Sequence, residues 1–371
     1  MSDGHLRLGL VGPLPPPSGG MANQTRQLGQ LLEGEGVAVR IVRTNEPYRP
    51  AWIGRLRGLR ALFRLIPYRL QLRRTAGNVE VMHVMANSGW AWFLLAAPAI
   101  RAAARAGVPV VINYRGGLAR EFLAKSADRV RSDMRLASAV IVPSRFLQSV
   151  FAEHGIRARI IPNIVNLEVF KPASPPRQSG LHVVVTRNLE TIYGVDVAIR
   201  AVALLRREFP DLRMSIAGTG PSRDSLEALV RELGLTDAIR FTGRLEVADI
   251  AALYRDADIV LNSSRADNTP NALLEGAASG VPIVSTDVGG VPYLLEHQRT
   301  AWLVPPDDPA ALAAGVATVL RDEPLRRRLR DNGVALASSC AWSVVRAQWL
   351  GLYAQLTPTR RGDLEPVVVE E

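Results

Sequence analysis

The segment from Asp258 to Pro292 decides the fold, and its sequence is DIVLNSSRADNTPNALLEGAASGVPIVSTDVGGVP. Apolar runs at 258–264 and 283–286 are typical of short buried strands. The stretch between them, from residue 270 to about 279, has the composition of a helix that ends at a glycine and a proline. The segment therefore predicts a strand, a polar loop, a helix, a second strand and a glycine loop.

The polar loop carries helix-start signals and groups that suit a ligand. It holds three N-cap residue types and a proline suited to the first helical position: Asp267, Asn268, Thr269 and Pro270. Two strand ends and a helix N-terminus would meet there, and free N–H groups favour phosphate. The carboxylates of Asp267 and Glu275 are strong acceptors for sugar hydroxyls, and Gly289 and Gly290 would let a ligand approach closely. This rim predicts a site for a phosphorylated sugar.

The same segment resembles the donor-site signature of retaining GT-B glycosyltransferases of the family-four (glycosyl transferases group 1) type. Asp267 and Glu275 hold the places of the two acidic residues of that signature, with seven residues between them, and Gly-x-Pro, a strand and Gly-Gly follow. The resemblance implies an α/β fold of GT-B architecture, with two Rossmann-like domains facing a cleft. It also implies transfer of a sugar from a nucleotide-sugar donor to an acceptor hydroxyl with retention, in cell-surface or exopolysaccharide glycan assembly.

The resemblance covers nearly the whole chain of 371 residues. We predict an acceptor-side domain over residues 1–171, a linker over 172–180 and a donor domain over 181–349. Residues 350–371 are expected to cross back to the first domain. Proline and serine in the segment 171–180 are typical of a linker.

Strand ends of the first domain provide further candidate residues. A glycine loop after the first strand, with Gly19 and Gly20, precedes a helix and suits an anion, and the family has a matching loop beside the donor phosphates. Arg115 follows a strand at the place where the family usually has histidine. Arginine does not serve as a general base because it keeps its proton, so an anion-binding role is indicated. His83 lies inside a predicted strand, where a packing role is favoured over catalysis.

In the second domain the family places an arginine, and a lysine six residues later, on the donor diphosphate. Arg187 matches the arginine, whereas Tyr193 stands at the lysine position. The resemblance implies catalytic roles for Asp267, Glu275, Arg187 and Arg115. It implies donor binding by Gly19, Gly20, Arg187, Tyr193, Gly218, Arg244, Asn268, Thr269, Pro270, Asn271 and Glu275.

A basic segment accounts for most of the net charge of +10. Between Pro47 and Val79 there are eight arginines and no acidic residue, including Arg55, Arg57, Arg60 and Arg64. Trp52, Leu56, Leu59, Phe63 and Ile66 would form one apolar stripe of a helix, which is a membrane-surface pattern. An anionic membrane or acceptor is one interpretation, and a helix packed on its own domain with a solvated basic face is the other. Nucleic acid is disfavoured because no nucleic-acid module accompanies the segment.

Composition excludes other classes of site. A single cysteine, Cys340, excludes a disulfide framework and a cysteine metal site, and we expect no metal and no cofactor. The start of the chain lacks a signal-peptide pattern, so a cytoplasmic protein is expected. Under the membrane interpretation of the basic segment it would be peripheral on the inner face of the cell membrane. Two rivals to a transferase remain: a nucleotide-sugar-binding protein with little or no turnover, and an epimerase of related fold.

Overall fold

The computed structural model describes residues 5–16, 19–48, 52, 60–173 and 181–357, and for residues 60–62 the backbone only. These residues form two compact units. The first comprises the described residues up to Ile164 and those from Val345 onward, and the second comprises Val165–Val344. Arg55, Arg57, most of the predicted linker and the tail from residue 358 lie outside the described residues.

The first unit contains a parallel sheet of six strands. Its order is β2-β1-β3-β4-β5-β6, with β1 Arg7–Gly12, β2 Ala38–Arg43, β3 Val81–Ala86, β4 Val110–Tyr114, β5 Ala139–Val142 and β6 Arg159–Ile160. Every residue of β3 and β4 is buried. Strands covered on both faces have continuous apolar runs, which is why the sequence predicted them.

Helices surround this sheet and close a core rich in aromatic side chains. They are α1 Gly20–Gly34, α2 Arg60–Ala76, a π-helix Trp92–Ala96, α3 Ala97–Arg105, α4 Ala119–Met134 and α5 Arg145–Ala152. Trp92, Tyr114 and Phe151 are fully buried, and the rings of Tyr114 and Phe151 meet edge to face at 4.9 Å. Helix α13 spans Trp342–Leu356, and its residues from Val345 onward also belong to this unit.

The second unit repeats the pattern with a second parallel sheet. Its order is β12-β11-β10-β7-β8-β9, with β7 His182–Thr186, β8 Arg213–Ala217, β9 Ile239–Gly243, β10 Ile259–Asn262, β11 Ile283–Thr286 and β12 Trp302–Val304. Two parallel sheets with helices confirm the predicted α/β class with two Rossmann-like units. The predicted bounds of β11 are also confirmed.

Two apolar clusters lie within this second unit. The helices of the unit are α6 Val195–Leu205, α7 Arg223–Glu232, α8 Val247–Arg255, α9 Asn271–Ala278, α10 Val291–Leu294, α11 Pro309–Arg321 and α12 Glu323–Ser339, together with a 3₁₀ turn Thr191–Tyr193. The large fully buried side chain of Tyr254, on α8, anchors one of the clusters.

The division between the units is placed differently from the predicted one. The first unit ends at Ile164 rather than at residue 171, because Val165 forms a bridge with Ala341. Phe170 packs edge to face against Tyr254 in the core of the second unit, with ring centroids 6.1 Å apart. The return to the first unit begins at Val345 rather than at residue 350.

Helix α2 differs from the predicted basic helix over 52–66. It begins at Arg60 and continues to Ala76, and residues 53–59 lie outside the described residues. Its core face consists of Tyr68, Leu72 and Ala76, which are buried, whereas Phe63 and Ile66 are 53% and 56% exposed. Because α2 has one apolar face that is buried and another that is exposed, the single apolar stripe recognised in the sequence did not give the bounds of the helix.

Candidate active site

The loops that follow four neighbouring strands of the second unit are locked together by glycines. The strands lie side by side in the order β11, β10, β7 and β8. Each of three glycines has a carbonyl oxygen from a neighbouring loop in the space of a Cβ: Gly218 faces Arg187, Gly194 faces Ser263, and Gly289 faces Asp267. The four loops therefore hold one another in place at the carboxyl edge of the sheet, where ligands bind in such folds.

Gly289 and Gly290 serve this contact rather than leaving room for a ligand. The carbonyl groups of Asp267 and Asn268 fill the space that a side chain would take, and the amide of Gly290 donates to the Asp267 carbonyl at 3.0 Å. Gly289 has a φ of +54°, which suits glycine. The expectation of close ligand approach at the two glycines is therefore corrected: they position the acidic loop.

Arg187 and Asp267 form an ion pair on two of these loops, which the sequence did not predict. The Nη2 of Arg187 donates to Oδ2 of Asp267, and the side chains are only 12% and 14% exposed. Arg187 Nε also donates to Oδ1 of Asn262 at 3.0 Å, and Asn262 Nδ2 donates to Ser285 Oγ at 2.9 Å. The guanidinium thus has a fixed direction, and its Nη1 has no hydrogen-bond partner among the described residues. Sequence reasoning missed Asn262 as a candidate site residue, although a polar residue at the end of an apolar strand is a signal for it.

Tyr193 stacks on Arg187 at the predicted lysine position. It ends the 3₁₀ turn, and the guanidinium lies 5.2 Å from its ring centroid, a cation–π contact. Burial raises the pKa of the tyrosine. The side chain is therefore a neutral platform that holds the arginine rather than a second cation.

Glu275 is a partly buried carboxyl group on α9. Burial raises its pKa from the ordinary 4.5 to about 7, and the charge of Arg187 opposes this rise. No side chain of the described residues donates a hydrogen bond to its carboxylate. Burial without a donor disfavours the charged form, so the group is half ionised near neutral pH and is able to accept hydrogen bonds from a ligand.

The start of α9 lies one residue later than predicted. Pro270 is the N-cap, with extended backbone, and the helix begins at Asn271. The carboxylate of Asp267 accepts from the amide of Asn268 at 2.8 Å instead of capping the helix. These residues and Thr269 nevertheless lie at the rim where the sequence placed them.

The remaining predicted residues of the second unit lie at the same edge of the sheet. Gly218 follows β8, and its amide donates to the carbonyl of Gly243 at 2.8 Å. Arg244 follows β9 and is exposed. Both stay predictions as donor contacts.

The first unit contains a different set of predicted residues. Gly19 is the N-cap of α1, and Gly20 is its first residue. Arg115 follows β4 and donates to Oδ1 of Asn113 at 2.9 Å and to Oδ1 of Asn163. Burial lowers the pKa of Arg115 to about 10, so it remains charged at neutral pH. The two asparagines were not predicted.

Neither a metal cluster nor a membrane-spanning helix occurs in the part of the chain that the structure describes. There, three or more His, Cys, Asp or Glu side chains do not come together as a potential metal cluster. Likewise, none of the described helices combines the length and apolar character needed to span a bilayer.

Two family models match consecutive parts of the chain. Residues 18–169 match the model described as Glycosyltransferase Family 4, and residues 168–335 match Glycosyl transferases group 1. The chain is 34% identical over 171 residues to a D-inositol 3-phosphate glycosyltransferase of Corynebacterium glutamicum, covering 44% of this chain and 41% of that one. It is 28% identical over 288 residues to a glycogen synthase of Mycobacterium tuberculosis, covering 74% and 69%. The match spans about half the length of the first curated relatives, from 41% to 56%.

Solved structures share the fold of this chain. Sucrose-phosphate synthase from Thermosynechococcus elongatus superposes with a TM-score of 0.75 at 20% identity, over 95% of this chain and 99% of that one. HepE from Anabaena, in complex with UDP-glucose, gives 0.72 at 20% identity, over 95% and 100%. These matches confirm the predicted GT-B fold class.

Proposed function

Because this chain belongs to the glycosyl transferases group 1 family, we propose that it transfers a sugar from a nucleotide sugar to an acceptor hydroxyl. The observation that carries the proposal is the rim of the second unit, where a fixed arginine and an aspartate paired with it lie on interlocked loops and a glutamate of raised pKa lies on α9. The bound UDP-glucose of HepE, a protein of the same fold, supports a nucleotide-sugar donor.

The donor would be held by charge and by carboxylate acceptors. Nη1 of Arg187 is left to bind the diphosphate, because its Nε and Nη2 are engaged by Asn262 and Asp267. Charge that develops on the departing diphosphate is then stabilised by a group that needs no reorientation. Asp267 keeps lone pairs for a sugar hydroxyl, and Glu275 would accept from the ribose.

We further propose that the transfer retains the anomeric configuration, as the family resemblance implies, with the leaving diphosphate helping to deprotonate the acceptor. A hexose donor and a role in cell-surface or exopolysaccharide assembly belong to the same proposal. An NMR spectrum of the glycosidic product tests retention, since donor and product should have the same anomeric form. An inverted product would contradict it.

The experiment that tests the function is a mass-spectrometric screen of UDP-, GDP- and ADP-sugars against polyprenyl-diphosphate glycans. Glu275→Gln should weaken UDP binding about 10- to 100-fold, since a hydrogen bond to a charged group contributes about 1.5–3 kcal/mol. Asp267→Asn should chiefly lower turnover. Glu232→Gln is the matched control, because Glu232 is an exposed glutamate of the same unit. Normal binding and rates in both site variants would refute the assignment.

A second candidate is a nucleotide-sugar-binding protein with little or no turnover. Two observations favour it: Tyr193 replaces a lysine, and Arg115 replaces a histidine. This candidate predicts UDP binding that depends on Glu275 without any glycosylated product in the screen. Product formation by the wild type would exclude it.

We also propose that α2 docks on an anionic membrane and presents a lipid-linked acceptor. Exposed Phe63 and Ile66 support this, and arginines near an anionic surface contribute about 1 kcal/mol each. Arg64 contributes less to a free basic face than predicted, because its guanidinium stacks on Tyr48 at 4.4 Å. The side chain of Arg60 is not described.

Vesicle sedimentation tests the membrane proposal. The wild type should pellet with phosphatidylglycerol vesicles at low salt and be released at high salt, because salt screens the attraction. Phe63→Ser combined with Ile66→Ser should abolish pelleting, whereas Leu136→Ser, at an exposed leucine of the same unit, should not. Equal recovery of all three proteins in the supernatant would show that this face does not bind membranes.

A further inference from the structure

A buried histidine in the first unit belongs to a chain of hydrogen bonds that ends at Arg115. His83, on β3, is completely buried. Its Nδ1 lies 2.8 Å from the hydroxyl of Tyr353 on α13, and its Nε2 lies 3.0 Å from Nδ2 of Asn113 on β4. The ring of Trp349 covers it at a centroid distance of 5.0 Å.

Arg115 fixes the direction of every bond in this chain. A guanidinium only donates, so the oxygen of the Asn113 amide must face Arg115 Nε, 2.9 Å away. The amide nitrogen then faces His83 and donates to Nε2, which must be unprotonated. The remaining ring proton is on Nδ1 and is donated to Tyr353. His83 is therefore a neutral imidazole in one tautomer, consistent with a pKa that burial and Arg115 lower to about 3.

A second support holds the other end of the arginine. Nη1 of Arg115 donates to Asn163. The neighbouring residue, Ile164, exchanges two hydrogen bonds with the side-chain amide of Gln24 on α1, at 2.9 and 3.3 Å. Arg115 is thus fixed between β4 and the segment 163–164, which is itself hydrogen-bonded to α1, with little freedom to turn away.

The partners of Arg115 leave its charge uncompensated. Both are neutral amide oxygens, no carboxylate of the described residues forms an ion pair with it, and its Nη2 has no hydrogen-bond partner among them. A partly buried cation without a counter-charge is costly and is a ready partner for phosphate or carboxylate, which the planar guanidinium binds in bidentate fashion.

We propose, on the basis of the transferase function above, that Arg115 binds a phosphate or carboxylate group on the sugar substrate. Tyr353, His83 and Asn113 are positioning residues, which keep the guanidinium directed at that group. The protein therefore selects a charged sugar over its neutral counterpart.

Equilibrium binding tests this without any turnover. The experiment uses the full chain carrying Arg187→Gln, which removes the positive charge of the arginine in the second unit. This protein is titrated with D-glucose 6-phosphate, D-glucuronate and D-glucose by saturation-transfer NMR. At least one charged probe should bind tenfold or more tightly than D-glucose, and the better probe distinguishes phosphate from carboxylate. Arg115→Gln should remove the preference, and Arg115→Lys should keep part of it. Arg105→Gln, at an exposed arginine at the end of α3, should not change it.

Equal binding of the three probes, or an unchanged preference in Arg115→Gln, would overturn the proposal. Failure of the transferase proposal looks different: no sugar nucleotide is turned over, while the charged probes still discriminate between wild type and Arg115→Gln. Where transfer is detected, Arg115→Gln should lower kcat/KM for the charged substrate at least tenfold more than for its neutral counterpart.

The positioning role has its own readout. His83→Leu removes the acceptor of the Asn113 amide and should reduce the charged-to-neutral preference at least threefold. His83→Gln offers both an acceptor and a donor and should restore most of it. A lower Tm with an unchanged preference in His83→Leu would show that the histidine only packs.

Discussion

Replacing Glu275 by glutamine should stabilise the protein, and only above a definite pH. The pKa of this carboxyl is about 7 in the folded protein against an ordinary 4.5. Below pH 4.5 the group is protonated in both states and costs nothing. As the pH rises from 4.5 through 7, the unfolded chain ionises first, and the folded state loses stability relative to it. At about 1.4 kcal/mol per pH unit, the full loss is about 3 kcal/mol.

Glutamine has the same shape and no charge, so it should recover that loss. Urea unfolding should show Glu275→Gln more stable than wild type by about 3 kcal/mol at pH 8.5 and by less than about 1 kcal/mol at pH 5. Glu232→Gln, at an exposed glutamate, should change stability by less than about 0.5 kcal/mol at either pH. Glu275→Gln should also bind UDP more weakly than wild type, which is the trade-off expected of a carboxylate that serves a ligand rather than stability.

An equal effect of Glu275→Gln at both pH values would refute the reasoning, because a buried carboxyl of raised pKa must give a pH-dependent difference. A loss of stability at pH 8.5 would show that the ionised carboxylate has a stabilising donor in the protein.

Further predictions concern the same unit. UDP affinity should rise more steeply between pH 6 and 8 in the wild type than in Glu275→Gln, because the ribose would select the ionised carboxylate, whereas ionisation of UDP itself affects both proteins alike; calorimetry checks this. Tyr193→Lys should bind UDP as tightly as wild type or more tightly, and a large loss would show that the ring is needed to hold Arg187. Arg187→Ala should lower kcat at least tenfold, the equivalent of about 1.4 kcal/mol of transition-state stabilisation. Gly289→Ala should destabilise more than Gly234→Ala in urea, since both glycines have positive φ but only the first meets a carbonyl oxygen.

The sequence predicted the local order of elements well and the contacts between them poorly. The strands at 259–262 and 283–286 were anticipated because parallel strands buried on both faces have continuous apolar runs. The ion pair between Arg187 and Asp267 was not anticipated, although both residues were predicted to belong to the site. It depends on β7 lying next to β10, and the spatial order of strands leaves no mark on local periodicity.

Two other differences have a similar origin. α2 was predicted from one apolar stripe, but the chain uses a second one, with Tyr68 and Leu72, to reach the core. Arg115 was expected to bind an anion from its residue type alone. The neutral side chains that aim it, His83 and Asn113, come from two strands and could be recognised only after the fold had placed them together.

The glycine contacts of the second unit bear on any attempt to redesign its specificity. Each loop at the rim has a carbonyl or a glycine shaped to its neighbour, along the series β11, β10, β7 and β8. A single loop taken from a homologue would carry a glycine or a carbonyl group that does not fit the neighbouring loop of this protein. The four loops therefore depend on one another structurally. Chimaeras that exchange all four loops together should fold where chimaeras that exchange a single loop fail.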